Sequence, residues 1–133
     1  MKPSSVLVVD DDRQILGMIE YWLAEAGYDV VACSCFDAAR TYLGTHTPDA
    51  LIADIRLGAF NGLHLALFSS QTHRPTALLL MSAYDDVVVR RDAAACGGRF
   101  LLKPLDREEL LTQLSEALAE DGSDGETTTS TRP

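Results

Sequence analysis

Five short apolar runs alternate with stretches of helical spacing along this chain. The runs are Val6–Val9, Tyr28–Ala32, Ala50–Ala53, Ala77–Met81 and Phe100–Leu102. Each is rich in β-branched or large aliphatic residues and almost unbroken by polar ones. That is the pattern of a strand covered on both faces, as in a parallel sheet. Between the first two runs, Ile15, Leu16, Ile19, Trp22, Leu23 and Ala26 recur at helical spacing. They predict a helix over Asp12–Ala26 that Gly27 stops. Further helices are predicted over Phe36–Leu43, over Leu63–Ser70 after the turn signal Asn61-Gly62, and over Asp85–Ala95, which ends at Gly97-Gly98. The last begins at Asp106, with Glu109 three residues on as a capping box and Leu110, Leu111, Leu114, Ala117 and Leu118 as its apolar stripe.

Repeated βα units imply right-handed crossovers and helices on both faces of a sheet. The expected fold is α/β: a single doubly wound (βα)5 domain, flavodoxin-like, with a five-stranded parallel sheet of order 2-1-3-4-5. It should occupy residues 1–121. Residues 122–133, "GSDGETTTSTRP", hold no large apolar side chain. They are expected to form a flexible polar tail or linker stub.

Composition narrows the classes. Hydrophobic residues make up 47% of the 133, enough for a core, and the formal net charge is −9. That charge disfavours direct binding to nucleic acid or anionic membrane. The opening "MKPSSVLVVDDD" is no secretory signal, and no run approaches the ~20 apolar residues that span a bilayer. Three cysteines, Cys33, Cys35 and Cys96, cannot all pair, so buried, reduced thiols and a cytoplasmic protein are expected. Cys33-x-Cys35 has no second cysteine pair or nearby histidine, which argues against structural metal. His46, His64 and His73 fit no phosphotransfer context and are expected to serve surface or packing.

Ligands in such sheets bind outside the carboxyl ends of the strands, near the switch point. There the first run stops at Asp10-Asp11-Asp12, the second at Cys33-Ser34, the third at Asp54, the fourth at Ser82 and the fifth at Lys103-Pro104. Each has a plain structural reading alone: Asp12 a helix cap, Asp54 a turn residue, Ser82 or Asp85 a cap, Lys103 a solvated amine. On neighbouring strands they form one rim of opposite charges. Adjacent carboxylates repel by ~1 kcal/mol per pair at 4 Å in water, so a cation is called for. Clustered carboxylates suit a hard divalent ion, and Mg²⁺ takes few protein carboxylates together with water and phosphate oxygens. Asp54 can act as a nucleophile toward phosphorus. Lys103 can then offset the charge spread over the phosphoryl oxygens, and the Ser82 hydroxyl can hydrogen-bond one of them.

The segments "VLVVDDD", "LIADIRLGAFNGL", "LLLMSAYDD" and "FLLKP", in that order, resemble a response-regulator receiver domain of two-component signalling, from Val6 to about Ala119. The resemblance implies that Asp54 is the phosphoacceptor. It implies that Asp10, Asp11, Asp54 and the backbone carbonyl of Arg56 hold Mg²⁺, with Asp11 the direct ligand and Asp10 acting through water. Ser82 and Lys103 would bind the phosphoryl group, Ser82 and Phe100 would act as the switch, and Lys103–Pro104 would be a cis peptide. A histidine kinase or histidine phosphotransfer protein would donate the phosphoryl group. The face made by the Asp85–Ala95 helix, the Phe100–Leu102 run and the last helix would then change its partner, as a signalling domain rather than an enzyme, with dimerisation as one outcome.

Gly58 stands where this family commonly has Pro, and Asn61 where Asp is frequent, which should re-aim the loop without abolishing chemistry. Arg56 and Tyr84, two residues beyond Asp54 and Ser82, are bulky and imply slow hydrolysis of the phosphoaspartate. Val87, Val88 and Val89 are poor helix formers, which suits either a marginal helix in a switch or a short helix held by packing. Two other functions compete. A haloacid dehalogenase-type phosphatase would use Asp10 of Asp10-x-Asp12, but the chain has little room for a cap, and Asp54 is left unexplained. A non-phosphorylated receiver-like interaction module would not need the full set of rim residues. A flavin carrier would need a Ser/Thr/Gly-rich phosphate loop after the first run, and "DDDRQ" is not one.

Overall fold

The computed structural model describes residues 2–57, 60–62, 64–65 and 76–131, with side chains described outside 57, 60–61 and 121–131. Its elements in chain order are β1 (Ser5–Val9), α1 (Arg13–Glu25), β2 (Asp29–Cys33), α2 (Phe36–Leu43), β3 (Ala50–Asp54), β4 (Arg56–Leu57), β5 (Phe60–Asn61), β6 (Ala77–Ser82), α3 (Val87–Ala95), β7 (Arg99–Leu102) and α4 (Arg107–Thr131). The helix expected over Leu63–Ser70 lies outside the described residues apart from helical backbone at Gly62, His64 and Leu65. Gly58 and His73 lie outside them as well.

The main sheet has the order β2-β1-β3-β6-β7, all pairs parallel. Counted over its five strands this is 2-1-3-4-5, as the alternation of runs and helices predicts. Three strands, β2, β3 and β6, reach one residue further toward their polar ends than the apolar runs: Cys33 pairs with Val9 in register, Asp54 with Met81 and Ser82 with Leu102. Apolarity marks where a strand is buried, whereas the ladder continues as long as backbone partners do.

Alternation along the strands divides the core into two layers. Val6, Val8, Ile52, Leu79 and Met81 pack with Leu16, Ile19 and Leu23 of α1 and Leu110 and Leu114 of α4. Leu7, Val9, Leu51, Leu78 and Leu80 pack on the other face with Ala39 and Leu43 of α2, Leu65, and Ala93 of α3. A one-residue slip of any central strand would exchange these layers, so the register is strongly specified.

Helix starts follow the caps. The Asp12 carboxylate accepts the Gln14 and Ile15 backbone N–H groups, so this acid opens α1. At α3 the cap is Asp86, which accepts from Val88 N–H at 2.7 Å, rather than Asp85. Asp85 pairs instead with Arg90. Asp106 accepts the Glu109 N–H at 2.9 Å at the start of α4. Of the three valines in α3, Val87 and Val88 are exposed, and only Val89 packs against the core beside Ala93.

Three local features depart from the pattern reading. Arg56–Leu57 and Phe60–Asn61 form a small antiparallel pair, too short for periodicity to reveal. Helical backbone continues to Thr131, past the expected end of the pattern at Asp121. The thiols are less buried than expected: Cys33 and Cys96 are half-buried and Cys35, at the cap of α2, is exposed, all three free. Among the described residues, no helix is long and apolar enough to cross a membrane.

Candidate functional site

Parallel strands deliver their carboxyl ends to one edge, and there the rim residues meet. Asp10 follows β1 and is fully buried. Its Oδ1 accepts the Asp12 backbone N–H at 2.9 Å and its Oδ2 accepts the Lys103 ammonium at 2.8 Å. Asp54 ends β3 and is 8% exposed. Its Oδ1 accepts the Arg56 N–H at 3.0 Å and its Oδ2 accepts Lys103 Nζ at 2.9 Å. One ammonium therefore bridges the two buried carboxylates, across sequence separations of 93 and 49 residues.

The backbone sets this arrangement up. Lys103 N–H donates to the Ser82 carbonyl at 2.8 Å, which extends the β6–β7 ladder to the base of the lysine side chain. The Lys103–Pro104 peptide is cis. Ser82 is buried, and its Oγ accepts the Tyr84 N–H at 3.0 Å. Asp11, next to the buried Asp10, is exposed. A pocket of about 270 Å³ opens over this edge, lined by Asp11, Asp54, Arg56, Ser82, Ala83, Tyr84 and Lys103. The Arg56 guanidinium lies 4.7 Å from the centre of the Tyr84 ring at its rim.

Burial pushes the Asp54 carboxyl above its ordinary value, and the proximity of Asp10 adds to this; hydrogen bonds from Lys103 and Arg56 pull the other way without cancelling it. For Lys103 the largest effect, burial, lowers the pKa. Its hydrogen bonds to Asp10 and Asp54, with their charges, outweigh that and leave it raised. The lysine is thus held as a cation.

Asp10, Asp11 and Asp54 each offer a carboxylate oxygen, and these oxygens lie within 4.8 Å of one another. Three hard oxygen donors in one cluster fit a hard divalent cation such as Mg²⁺, whose remaining positions water and phosphate oxygens fill. Lys103 and Ser82 line the same pocket, which gives it an ammonium and a hydroxyl beside the carboxylates.

The expected site residues fall into two groups. Asp11, Asp54, Arg56, Ser82 and Lys103 share the pocket, with Asp10 beneath it. Phe100 stands apart, half-buried on β7, with the Arg90 guanidinium 4.5 Å from its ring centre. Sequence reasoning missed two residues. Gly62 packs so closely on β3 that a Cβ there would lie 2.2 Å from the Asp54 carbonyl oxygen. The dipeptide Asn61-Gly62 signals a turn but carries no trace of this distant approach. Arg90 was missed because a charged residue on an exposed helix reads as solvated.

The fold is thus a doubly wound parallel sheet with an acid cluster, a hydroxyl and a lysine at its carboxyl edge. Residues 6–115 match the response regulator receiver domain family, and the chain belongs to it. It is similar to the DNA-binding transcriptional regulator NtrC of Salmonella typhimurium, 32% identical over 123 residues that cover 90% of this chain and 26% of that protein. It is 34% identical to the regulatory protein VanRB of Enterococcus faecalis over 119 residues, covering 89% of this chain and 54% of that protein. The chain thus spans about a quarter to a half of the length of these relatives. The crystal structure of a CheY-like response regulator receiver domain protein from Methanospirillum hungatei superposes with a TM-score of 0.86 at 20% identity, covering 92% of this chain and 98% of that one, which shows the shared fold. Residues 6–115 are therefore a response-regulator receiver domain of two-component systems.

Proposed function

We propose that residues 1–121 act as a phosphorylation-dependent switch, with Asp54 the phosphoacceptor and residues 122–133 a tail or linker. The observation that carries this reading is the unequal access of the two buried acids. Asp54 lines the pocket and is 8% exposed, whereas Asp10 does not line it and is fully buried. An incoming phosphorus can reach Asp54 but not Asp10, which argues against the phosphatase alternative.

A phosphohistidine of a histidine kinase or phosphotransfer protein presents its phosphoryl group to the pocket. An Asp54 carboxylate oxygen attacks phosphorus in line, the P–N bond breaks, and its electron pair returns to the imidazole nitrogen. Lys103 donates to a phosphoryl oxygen as Asp54 gives up its share of the ammonium. The Ser82 hydroxyl, an acceptor from Tyr84 here, keeps a proton to donate to another. Asp10, Asp11, Asp54 and the Arg56 carbonyl would hold Mg²⁺, which supplies positive charge beside the phosphoryl oxygens when bound. The Arg56–Tyr84 stack narrows the path of water to the product and supports slow hydrolysis. Ser82 and Phe100 then carry the change to the face of α3, β7 and α4, where an output partner or a second copy docks. A ligand shifts such an equilibrium only by its differential interaction with the two states.

Intact mass after incubation with acetyl phosphate and Mg²⁺ tests the proposal. One phosphoryl adduct is expected, lost in Asp54→Ala and kept in Asp12→Ala. An adduct lost only on changing Asp10 would establish the phosphatase reading. No adduct, even with a cognate kinase, would leave an interaction module.

A further inference from the structure

Strand β7 presents Arg99 and Phe100 to opposite faces of the sheet. Arg99 reaches Gln113, Glu116 and Glu120 of α4. Phe100 packs on the other layer, where Leu80 is its partner in register. Its ring is covered by Arg90 of α3, whose Cζ lies 4.5 Å from the ring centre. Arg90 Nε also donates to Asp85, which lies in the loop between Ser82 and α3. One guanidinium thus touches an edge-strand ring and the loop that leaves the pocket.

We propose that Arg90 is a positioning residue for Phe100: it holds the ring in its half-buried setting and ties that setting, through Asp85, to the loop after Ser82. This rests on the reading above, in which Phe100 is the switch. The physical case is a difference between states. A cation over a ring face is favourable only while the ring presents that face. If the ring turns inward, the contact is lost, so Arg90 stabilises one setting and not the other. The connection to the pocket is short. Ser82 Oγ holds the Tyr84 N–H, and Asp85 is the next residue. When the Ser82 hydroxyl turns to a phosphoryl oxygen, that bond is exchanged, Asp85 moves, and Arg90 loses the partner that orients it. Arg90 and Asp85 are both about half exposed, at 51% and 54% for their side chains, so their ion pair alone is weak and serves to aim the guanidinium.

The test uses the full chain with 4-fluorophenylalanine placed at position 100 and read by ¹⁹F NMR without phosphodonor. A cation–π contact at this exposure should shift the ring's equilibrium about two- to five-fold. Arg90→Gln is therefore expected to move the population-weighted signal toward the position seen after acetyl phosphate, and to do so by that factor. Arg90→Lys should restore part of the shift, because an ammonium can still face the ring. Asp85→Asn should give a smaller change in the same direction. Arg91→Gln removes the same charge from the neighbouring position of α3 and should leave the signal unmoved. A signal identical in wild type and Arg90→Gln overturns the proposal, as does an equal response to Arg91→Gln. Intact mass of the same samples separates the two readings. If no Asp54 adduct forms but Arg90→Gln moves the ring signal while Arg91→Gln does not, the phosphoacceptor reading falls and the positioning role stands. An adduct with no Arg90 response does the reverse.

Discussion

Removing the Lys103 ammonium tests the electrostatic design of the site. Nζ lies 2.8 Å from Asp10 and 2.9 Å from Asp54, and the three side chains are 12%, 0% and 11% exposed. At an effective dielectric constant of about 20, each contact carries roughly 6 kcal/mol of attraction. Desolvation of the three ions offsets most of it, so the net worth of the arrangement is small. Its disruption is not, because Lys103→Met leaves two buried carboxylates facing each other without a cation. The expected loss is about 3–5 kcal/mol. In urea that lowers the midpoint by about 2 M, taking a slope of ~2 kcal/mol per molar. The measurement is equilibrium unfolding by circular dichroism at pH 7 in EDTA, and again with millimolar Mg²⁺. Mg²⁺ should restore much of the loss in the variant and do less for the wild type, since it binds the acids the lysine has left. The gap between the proteins has a predicted pH profile. Lys103 has a raised folded pKa, so its contribution is full below its unfolded value and fades as pH rises through the folded one. In acid the gap also narrows, as Asp54, with its raised pKa, takes up a proton. An unchanged midpoint in EDTA would refute the reasoning, since it would mean the buried acids need no cation.

Asp54→Asn should stabilise the metal-free domain at neutral pH, since burial raises the Asp54 pKa and the ionised form is the one disfavoured. The gain should be complete above the raised folded pKa and absent below the unfolded value near 3.8, as measured by urea midpoints across that range. Gly62→Ala should cost about 1–3 kcal/mol, because the new methyl meets backbone of Asp54 that cannot yield as a side chain would; thermal denaturation reads it, and slower phosphorylation of Asp54 should accompany it. Arg99→Gln should cost about 0.5–1 kcal/mol by breaking ion pairs to the exposed Glu116 and Glu120, with hydrogen exchange rising in α4 beyond Gln113 and not in α1.

Much of this protein is written in local order. The apolar runs and their helical spacers determined five parallel strands, because burial on both faces leaves a signature each segment carries by itself. Acidic caps such as Asp12 and Asp106 fixed helix starts for the same reason: the backbone groups they satisfy are two or three residues away. Chain order then brings the polar strand ends to one rim, so Asp10, Asp54, Ser82 and Lys103 are legible together in the sequence.

What the tertiary structure decided was division of labour among them. Adjacent letters gave Asp10, Asp11 and Asp12 the same chemistry, and folding gave them three different fates: Asp10 buried under Lys103, Asp11 exposed at the pocket, Asp12 spent on a helix cap. The cation that offsets the buried pair is 93 residues away from Asp10. Gly62 against the Asp54 backbone and Arg90 over Phe100 are contacts of the same kind. Segment patterns reflect which residues are covered, and they are legible one stretch at a time. Which groups touch depends on strand register and helix placement together, and no single stretch of sequence contains that information.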